Sequence, residues 1–342
     1  MRKLSYAAAA GLVLAVLCAG GAEAARKAAS KPAPAPLTAE AINAADLPTA
    51  PSDGKRIVPA LIKVQVLLDR ARFSPGSIDG RGGSNMEKAL AAFAAAQGVQ
   101  SDGKLSREVW DKLVATSADP AVVEYKIGPE DVKGPFVKKI PRDFEDMAKL
   151  DRLGYTSARE LLAEKFHMTE DLLAAMNPGR DLDQEGTTVL VPNVARPRDQ
   201  GEKGRVAKIE VDKGGKLARA FDKEGKLVAF YPASIGSDEK PAPSGESKVR
   251  AVALNPTYTY NPNYAFKGVK TKEKVTVKAG PNNPVGSAWI DLEIESYGIH
   301  GTPEPDRVGK SYSHGCIRLT NWDVQDLARM VQKGTVVQFL DP

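Results

Sequence analysis

The sequence predicts a multidomain α+β protein: a small three-helix domain, a small strand–helix–helix–strand module, and a larger, mostly antiparallel β-domain with one main helix. Three observations predict this. Apolar residues recur at helical spacing through 57–116. Two capped helical patterns lie between two β-branched runs within 121–194. From residue 204 onwards, short β-branched runs alternate with Gly-containing turns, which is typical of a sheet curled into a sandwich or open barrel.

The first residues have the pattern of a secretory signal. Basic residues at positions 2 and 3 precede an apolar run over 7–17, and a small-x-small sequence follows at 22–24. We therefore expect residues 1–24 to be a signal peptide and the protein to be exported, to the periplasm or the cell wall. No later stretch reaches ~18 consecutive apolar residues, so an integral membrane protein is not expected.

The chain has two cysteines, Cys18 and Cys316. Leu17 stands where a lipoprotein would have a small residue, so we favour a signal peptide over a lipid anchor at Cys18. Removal of residues 1–24 then leaves Cys316 alone, and no disulfide can form within one chain. A single thiol in an exported protein is either a reactive group or an intermolecular partner.

The charge of the chain is mild, at a formal +5. No concentrated basic stripe is visible, so nucleic acid is not an expected partner. A mild positive charge is compatible with an anionic polymer.

Residues 25–55 are rich in Ala, Pro, Lys and Ser, and we expect a stiff, extended tether there. Residues 56–118 are expected to fold as three short helices, the last of which begins at a Ser106 N-cap. Asp-Gly turns at 79–80 and 102–103 separate the helices. This layout resembles the small peptidoglycan-binding domain, and a helical spacer without a ligand is the alternative.

Residues 121–195 are expected to form the second module. Ser157 and Thr169 are the predicted N-caps of two helices that lie between two strands. The order resembles a diverged LysM module, which implies glycan binding, although the residues between Asp131 and Ser157 depart from the usual compact module. We expect His167 to have a local capping or packing role.

Residues 204–342 are expected to form the β-rich domain. Asn321 is the predicted cap of its one main helix. The segment 255–286 is long and rich in Asn, Pro, Tyr and Lys, and loops of that length in a compact domain are usually functional. We expect it to form one wall or lid of a cleft.

The residues with the clearest chemistry lie within 297–319. His300 is followed by Gly301, and His314 by Gly315 and Cys316. A histidine near a cysteine can take the thiol proton, and glycines beside the nucleophile leave N–H groups free to face an oxyanion. By spacing alone, an inert buried pair is the more common explanation. A zinc site is disfavoured because no fourth ligand stands at motif spacing.

The full string changes this assessment. His300-Gly301-Thr302, then SHGCIRL over 313–319, then Asn321, resembles the signature of the L,D-transpeptidases, the YkuD-type catalytic domain. The resemblance implies that residues 204–342 are this domain, that Cys316 is the nucleophile, and that His300 is its base. It also implies a stem tetrapeptide of peptidoglycan as acyl donor, and no metal or organic cofactor is expected.

The remaining site residues have subsidiary predicted roles. Gly301 is expected to orient His300 through its carbonyl, and the N–H groups of Gly315 and Cys316 to face the oxyanion, with His314 as a possible third donor. The expected substrate contacts are made by residues whose side chains flank the nucleophile, namely Arg318, Ser313 and Tyr297. A structural salt bridge is the alternative for Arg318. If His300 and Cys316 form an ion pair, the thiol pKa should lie below its free value of about 8.5.

Three functions remain open from the sequence. A transpeptidase would pass the acyl group to an amine of another stem peptide, or of an outer-membrane protein or lipoprotein. An L,D-carboxypeptidase would use water, and a wall-binding scaffold would have an inactive catalytic domain. Because every residue assigned to chemistry lies beyond 299, deletion of 56–195 is expected to weaken wall binding and spare turnover. The alternative is that these modules pack on the 255–286 segment and shape the cleft.

Overall fold

The computed structural model describes most of the chain beyond residue 36, and no helix in that part is long and apolar enough to cross a membrane. The predicted signal peptide and most of the predicted tether lie outside the described residues, and so does His314. The described ranges are 37–48, 54–194, 202–237, 240–264, 269–313 and 315–341.

The three-helix domain has the predicted helices. Its last helix begins where expected, because the Ser106 side chain accepts from the Val109 N–H. The apolar faces of the three helices enclose one core with Phe93 and Trp110 at its centre. The helices are α2 (Pro59–Arg70), α3 (Ser84–Ala96) and α4 (Arg107–Val114), and a short helix, α1 (Ala39–Asn43), precedes them.

Helix α1 corrects the prediction of an extended tether over 25–55. Ile42 is fully buried in the core of the second module. The Asn43 side chain exchanges two hydrogen bonds with the backbone of Val122, at 3.0 and 2.9 Å. Residues 37–48 therefore belong to the folded body.

The second module has the predicted strand–helix–helix–strand order, with a two-stranded antiparallel sheet. The Ser157 and Thr169 side chains cap its two main helices as predicted. The residues between Asp131 and Ser157 contribute a further short helix that lies outside the core of the module. The elements are β1 (Val122–Lys126), α5 (Pro129–Val132), α6 (Phe144–Ala148), α7 (Ala158–Lys165), α8 (Glu170–Met176) and β2 (Thr188–Pro192).

The third domain is built on a nine-stranded sheet in the order β5-β4-β3-β13-β7-β10-β11-β12-β6. Eleven strands lie in the described part of this domain, of which β8 and β9 form a separate hairpin. They are β3 (Lys208–Asp212), β4 (Leu217–Phe221), β5 (Leu227–Pro232), β6 (Ser234–Ile235), β7 (Gly245–Leu254), β8 (Tyr258–Tyr260), β9 (Val275–Val277), β10 (Ala288–Leu292), β11 (Gly298–His300), β12 (Ile317–Arg318) and β13 (Val336–Leu340).

The sheet curls into a nearly closed barrel, as the sequence predicted. Its two edge strands, β5 and β6, are separated in sequence by Ala233 alone, so the edges must come together. Most neighbouring strands are antiparallel, and the parallel pairs are β13 with β3 and β11 with β12. The one main helix, α9 (Asn321–Met330), buries its apolar stripe in the sheet core.

Helix α9 begins one residue earlier than the sequence suggested. Its N-cap is Thr320, whose side chain accepts from the Asp323 N–H at 3.1 Å. Asn321 is the first helical residue, so the prediction that it caps the helix is wrong. Its side chain is free for other contacts.

The three units pack into one body. The backbone of Arg72 and Ser74 in the three-helix domain pairs with Phe230 at the free edge of β5, at 2.8 and 2.9 Å. Covering an exposed strand edge in this way blocks pairing with other chains. His167 bonds Asp69 at 2.9 Å and stacks on Trp322, so its role is to join the three units and is not local.

Candidate active site

Adjacent parallel strands bring the predicted catalytic residues together. Strand β12 pairs with β11 so that His300 lies opposite Arg318. Cys316 precedes β12, and residues two apart on a strand point to the same face. His300, Cys316 and Arg318 all line one cleft of about 880 Å³.

His300 is buried and held in a single orientation. Its Nδ1 lies 2.6 Å from the Gly301 carbonyl oxygen, and its ring stacks on Trp289 with centroids 5.5 Å apart. A carbonyl can only accept, so Nδ1 carries the hydrogen and Nε2 is left as the basic nitrogen. Burial, reinforced by the charge of Arg318, lowers the pKa of His300 to about 3. The resting imidazole is therefore neutral.

The Cys316 thiol is also neutral at rest. Burial raises its pKa above the ordinary value, and the Gly298 N–H and the charge of Arg318 oppose this only in part. The Sγ lies 3.8 Å from the Ser296 carbonyl oxygen. The prediction of a thiol pKa below its free value is wrong in direction, because desolvation penalises the thiolate more than the nearby charges favour it.

The turn before Cys316 is closed by Ser313. Its hydroxyl donates to the Cys316 carbonyl oxygen and accepts from the Gly315 N–H at 3.2 Å. Ser313 therefore holds the turn that presents the predicted nucleophile. The Gly315 N–H already donates to Ser313 within this turn, and its role as an oxyanion donor stays a prediction. The Cys316 N–H stays the predicted donor, and His314 lies outside the described residues.

Arg318 and Tyr297 present unpartnered polar atoms at the cleft. The Arg318 Nε and the Tyr297 hydroxyl are buried without a hydrogen-bond partner in the described part of the chain. Burial lowers the pKa of the Arg318 guanidinium and raises that of the Tyr297 hydroxyl. No described carboxylate forms an ion pair with Arg318, so the structural salt bridge considered from the sequence is not found there. The roles of both residues as substrate contacts stay predictions.

The 255–286 segment forms a wall of the cleft, as predicted. Its strands β8 and β9 pair as a hairpin, and seven of its described residues line the cavity. They are Tyr258, Thr259, Asn263, Val269, Asn282, Pro284 and Val285.

The second module supplies a further wall, which the sequence analysis raised only as an alternative and without naming its residues. Its contribution comes from the residues that depart from the compact module, and it includes Ile140, Pro141, Arg142, Phe144 and Met147. The unusual length between Asp131 and Ser157 was the available signal, because insertions into a compact module commonly carry function.

Three backbone and side-chain contacts fasten this second wall to the first. The Thr271 hydroxyl donates to Glu145 at 2.7 Å. Leu153 donates to the Ala279 carbonyl at 3.0 Å and accepts from the Asn282 N–H at 2.9 Å. The second module therefore shapes the cleft, which was the alternative to a purely wall-binding role.

Asn321 is the other functional residue that sequence reasoning misassigned. Its Oδ1 accepts from the Ser287 N–H at 2.9 Å and from the Thr302 N–H at 3.1 Å. A Cβ added at Gly301 would lie 2.2 Å from this oxygen. Gly301 is therefore required by the close approach of Asn321 to the segment that holds His300.

Two family models match the chain. Residues 207–339 match the model described as "L,D-transpeptidase catalytic domain". Residues 58–113 match the model described as "Putative peptidoglycan binding domain". The LysM likeness of 121–195 stays a prediction.

Named relatives have similar sequences. The chain is 29% identical over 180 residues to "Putative L,D-transpeptidase YkuD" of Bacillus licheniformis, with 52% of this chain and 90% of the relative covered. It is 30% identical over 193 residues to "Probable L,D-transpeptidase YbiS" of Escherichia coli, with 55% of this chain and 61% of the relative covered. The chain thus spans less than two thirds of the second relative.

A solved structure of L,D-transpeptidase 3 from Mycobacterium tuberculosis is 16% identical, with a TM-score of 0.34 over 49% of this chain and 79% of that one. Because this structural similarity is low, the family is assigned from the family models and from the residues of the site. Residues 207–339 belong to the L,D-transpeptidase catalytic domain family, and residues 58–113 to the peptidoglycan-binding domain family.

Proposed function

We propose that the protein is an exported L,D-transpeptidase of peptidoglycan that works through a thioester on Cys316. The observation that carries the proposal is the shared cleft of Cys316, a neutral His300 and a half-buried Arg318 without a described ion-pair partner. A free thiol and a neutral imidazole in one cleft are the groups needed for general-base activation of a nucleophile. A half-buried guanidinium on the wall suits a substrate carboxylate.

In the first half-reaction, the donor is a stem tetrapeptide, and the bond to the D-Ala at position four is cut. The Sγ of Cys316 attacks the carbonyl carbon of residue three while His300 Nε2 takes the thiol proton. The Cys316 N–H faces the resulting oxyanion. The tetrahedral adduct then collapses, the leaving amine of D-Ala takes the proton from His300, and a thioester is formed.

In the second half-reaction, an amine attacks the thioester carbonyl. His300 takes a proton from this amine and returns it to the departing Cys316 sulfur, so a new amide forms and the thiol is restored. We propose an amine of another stem peptide or of an envelope protein as the acceptor. Water at the same step would make the enzyme an L,D-carboxypeptidase.

The test is incubation of the purified chain with soluble disaccharide-tetrapeptide fragments, followed by mass spectrometry, with Cys316→Ala as the control. The expected result is loss of D-Ala with formation of cross-linked dimers, neither of which the variant produces. Release of D-Ala without dimers, even when an amine acceptor is added, would indicate the carboxypeptidase. Absence of both products, with the fold intact, would favour a wall-binding scaffold.

Export is proposed from the pattern of residues 1–24 alone. The expected result is recovery of the protein in the periplasmic or wall fraction, shortened at its start. Recovery at full length inside the cell would overturn this part of the proposal.

A further inference from the structure

One peptide group connects His300 to the interior of the protein. The carbonyl between Gly301 and Thr302 accepts from His300 Nδ1 at 2.6 Å. The N–H of the same peptide group, on Thr302, donates to Asn321 Oδ1 at 3.1 Å. A change in the polarisation of the carbonyl therefore alters the strength of the hydrogen bond that the N–H donates, and the reverse also holds.

The Asn321 amide continues the connection into the second module. Its Nδ2 donates to both carboxylate oxygens of Glu164, at 3.0 and 3.1 Å, and to the Pro281 carbonyl at 3.1 Å. A reversed amide would place its oxygen against the carboxylate and its hydrogens against the N–H of Thr302. Only one orientation satisfies all these partners. Every donor in the path from His300 to Glu164 therefore points toward Glu164.

Glu164 is half-buried, and few partners compensate the desolvation of its carboxylate. It lies on α7, and the Tyr155 hydroxyl donates to it at 3.1 Å. No basic side chain forms an ion pair with it in the described part of the chain. Burial raises the pKa of Glu164 to about 7, Glu160 on the same helix adds to the rise, and the bonds from Asn321 and Tyr155 oppose it. Strongly shifted groups of this kind cluster at functional sites.

We propose that Glu164 is a positioning residue for His300, acting through Asn321 and the Gly301–Thr302 peptide group. This rests on the function proposed above, in which His300 takes the proton of Cys316. The Glu164 carboxylate ends the series of hydrogen bonds behind His300, as an aspartate does behind the histidine of a Ser-His-Asp triad. Here two amide groups separate the carboxylate from the imidazole.

Glu164 acts on His300 through cooperative polarisation of the hydrogen bonds between them. In a low-dielectric interior, hydrogen bonds in series strengthen one another, and a charged acceptor at the end strengthens the series most. An ionised Glu164 favours the His300 state with the proton on Nδ1, and it favours the imidazolium that forms during the reaction. Protonation of Glu164 leaves the contacts but removes the charge.

The direction of the pH dependence follows. The groups that face Glu164 are Glu160 from its own helix, Tyr155, and Asn321 from α9. Arg152 lies beyond, where its charge acts on the Tyr155 hydroxyl. His300 is neutral over the working range because its pKa is lowered to about 3. The ionised form of Glu164 predominates above about pH 7, so the reactivity of Cys316 should fall as the pH falls through that value.

The first experiment compares Glu164→Gln with wild type in the full chain. Alkylation of Cys316 by iodoacetamide and turnover of the tetrapeptide fragment are measured between about pH 5.5 and 9. We expect the wild type to show a step near pH 7. The variant should lose that step, and its kcat at high pH should fall about fivefold to tenfold with KM unchanged, which is the difference between a charged and a neutral hydrogen-bond acceptor.

Glu170→Gln is the matched control. Glu170 is a carboxylate of the same module whose pKa is also raised by burial, but it pairs with Arg159. Its replacement should leave the pH profile unchanged. A Glu164→Gln protein that keeps both the step and the wild-type kcat would overturn the proposal.

Two further variants shift the step in opposite directions. Tyr155→Phe removes a donor to the carboxylate and should move the step to higher pH, whereas Glu160→Gln removes a neighbouring negative charge and should move it lower. If Glu164→Gln does not fold, these two shifts test the role of Glu164 in its place. A pH step that neither variant moves would refute that role. Alkylation requires no peptide substrate, so it reports on Glu164 independently of turnover. A pH step in alkylation without any turnover would contradict the proposed function but still support the role of Glu164.

Discussion

Phe144 stacks on Tyr260 with ring centroids 4.6 Å apart and planes 13° from parallel. Phe144 belongs to the second module and Tyr260 to the 255–286 segment, so this pair joins the two walls of the cleft. Together with Val277 they form a small separate apolar core. The position of both walls therefore depends on contacts between modules.

The Phe144 contact predicts that the preceding modules are needed for catalysis. Deletion of 56–195 should remove one wall, expose the apolar faces of Tyr260 and Val277, and abolish turnover of a soluble fragment. Phe144→Ala should act in the same direction and raise KM several-fold, because a large buried ring is removed. Asp146→Ala, on the same helix but outside the cleft lining, is the control.

Kinetics on the soluble fragment, with circular dichroism to show that the proteins are folded, decide this prediction. Full turnover by a folded truncated domain would support the expectation from sequence that the modules serve only to hold the enzyme at the wall.

The proposed nucleophile, Cys316, gives the second prediction. Cys316→Ser should lower kcat by about a thousandfold or more, because a hydroxyl is far less nucleophilic than a thiol under general-base activation. The melting temperature should change little, since the side chain lies at the cleft. Substantial turnover by this variant would exclude the thioester.

The raised pKa of the Cys316 thiol gives the third prediction. The fraction of thiolate should still be rising above pH 8.5, the ordinary value, and alkylation at mildly acidic pH should be slow. His300→Ala should slow alkylation further, because the variant lacks the proposed base. Fast, pH-independent alkylation below about pH 6 would instead indicate a preformed ion pair with His300.

The close approach of Asn321 to Gly301 gives the fourth prediction. Gly301→Ala should force the two segments apart, lower stability by about 1–3 kcal/mol and reduce kcat, because the carbonyl that orients His300 moves. Gly83→Ala is the matched control, since a Cβ there meets nothing within 4 Å. Denaturant unfolding and steady-state kinetics test both variants, and equal behaviour of the two would contradict the packing argument.

Local patterns in the sequence determined most of the helices and strands and indicated the catalytic domain. The caps at Ser106, Ser157 and Thr169 depend on residues three positions apart, and the structure confirms each of them. The order of His300 and Cys316 within the family motif predicted the catalytic domain, and the family model confirms it. Neighbouring strands bring the two residues to one cleft.

Tertiary structure decided what depends on burial and on distant partners. Asn321 and Glu164 are 157 positions apart, and no local pattern relates them. The pKa of Cys316 rises, against expectation, because desolvation exists only once the cleft has formed. The wall around Phe144 and the position of helix α1 also depend on tertiary structure. Their partners lie in other modules, and only the folded chain brings those surfaces into contact.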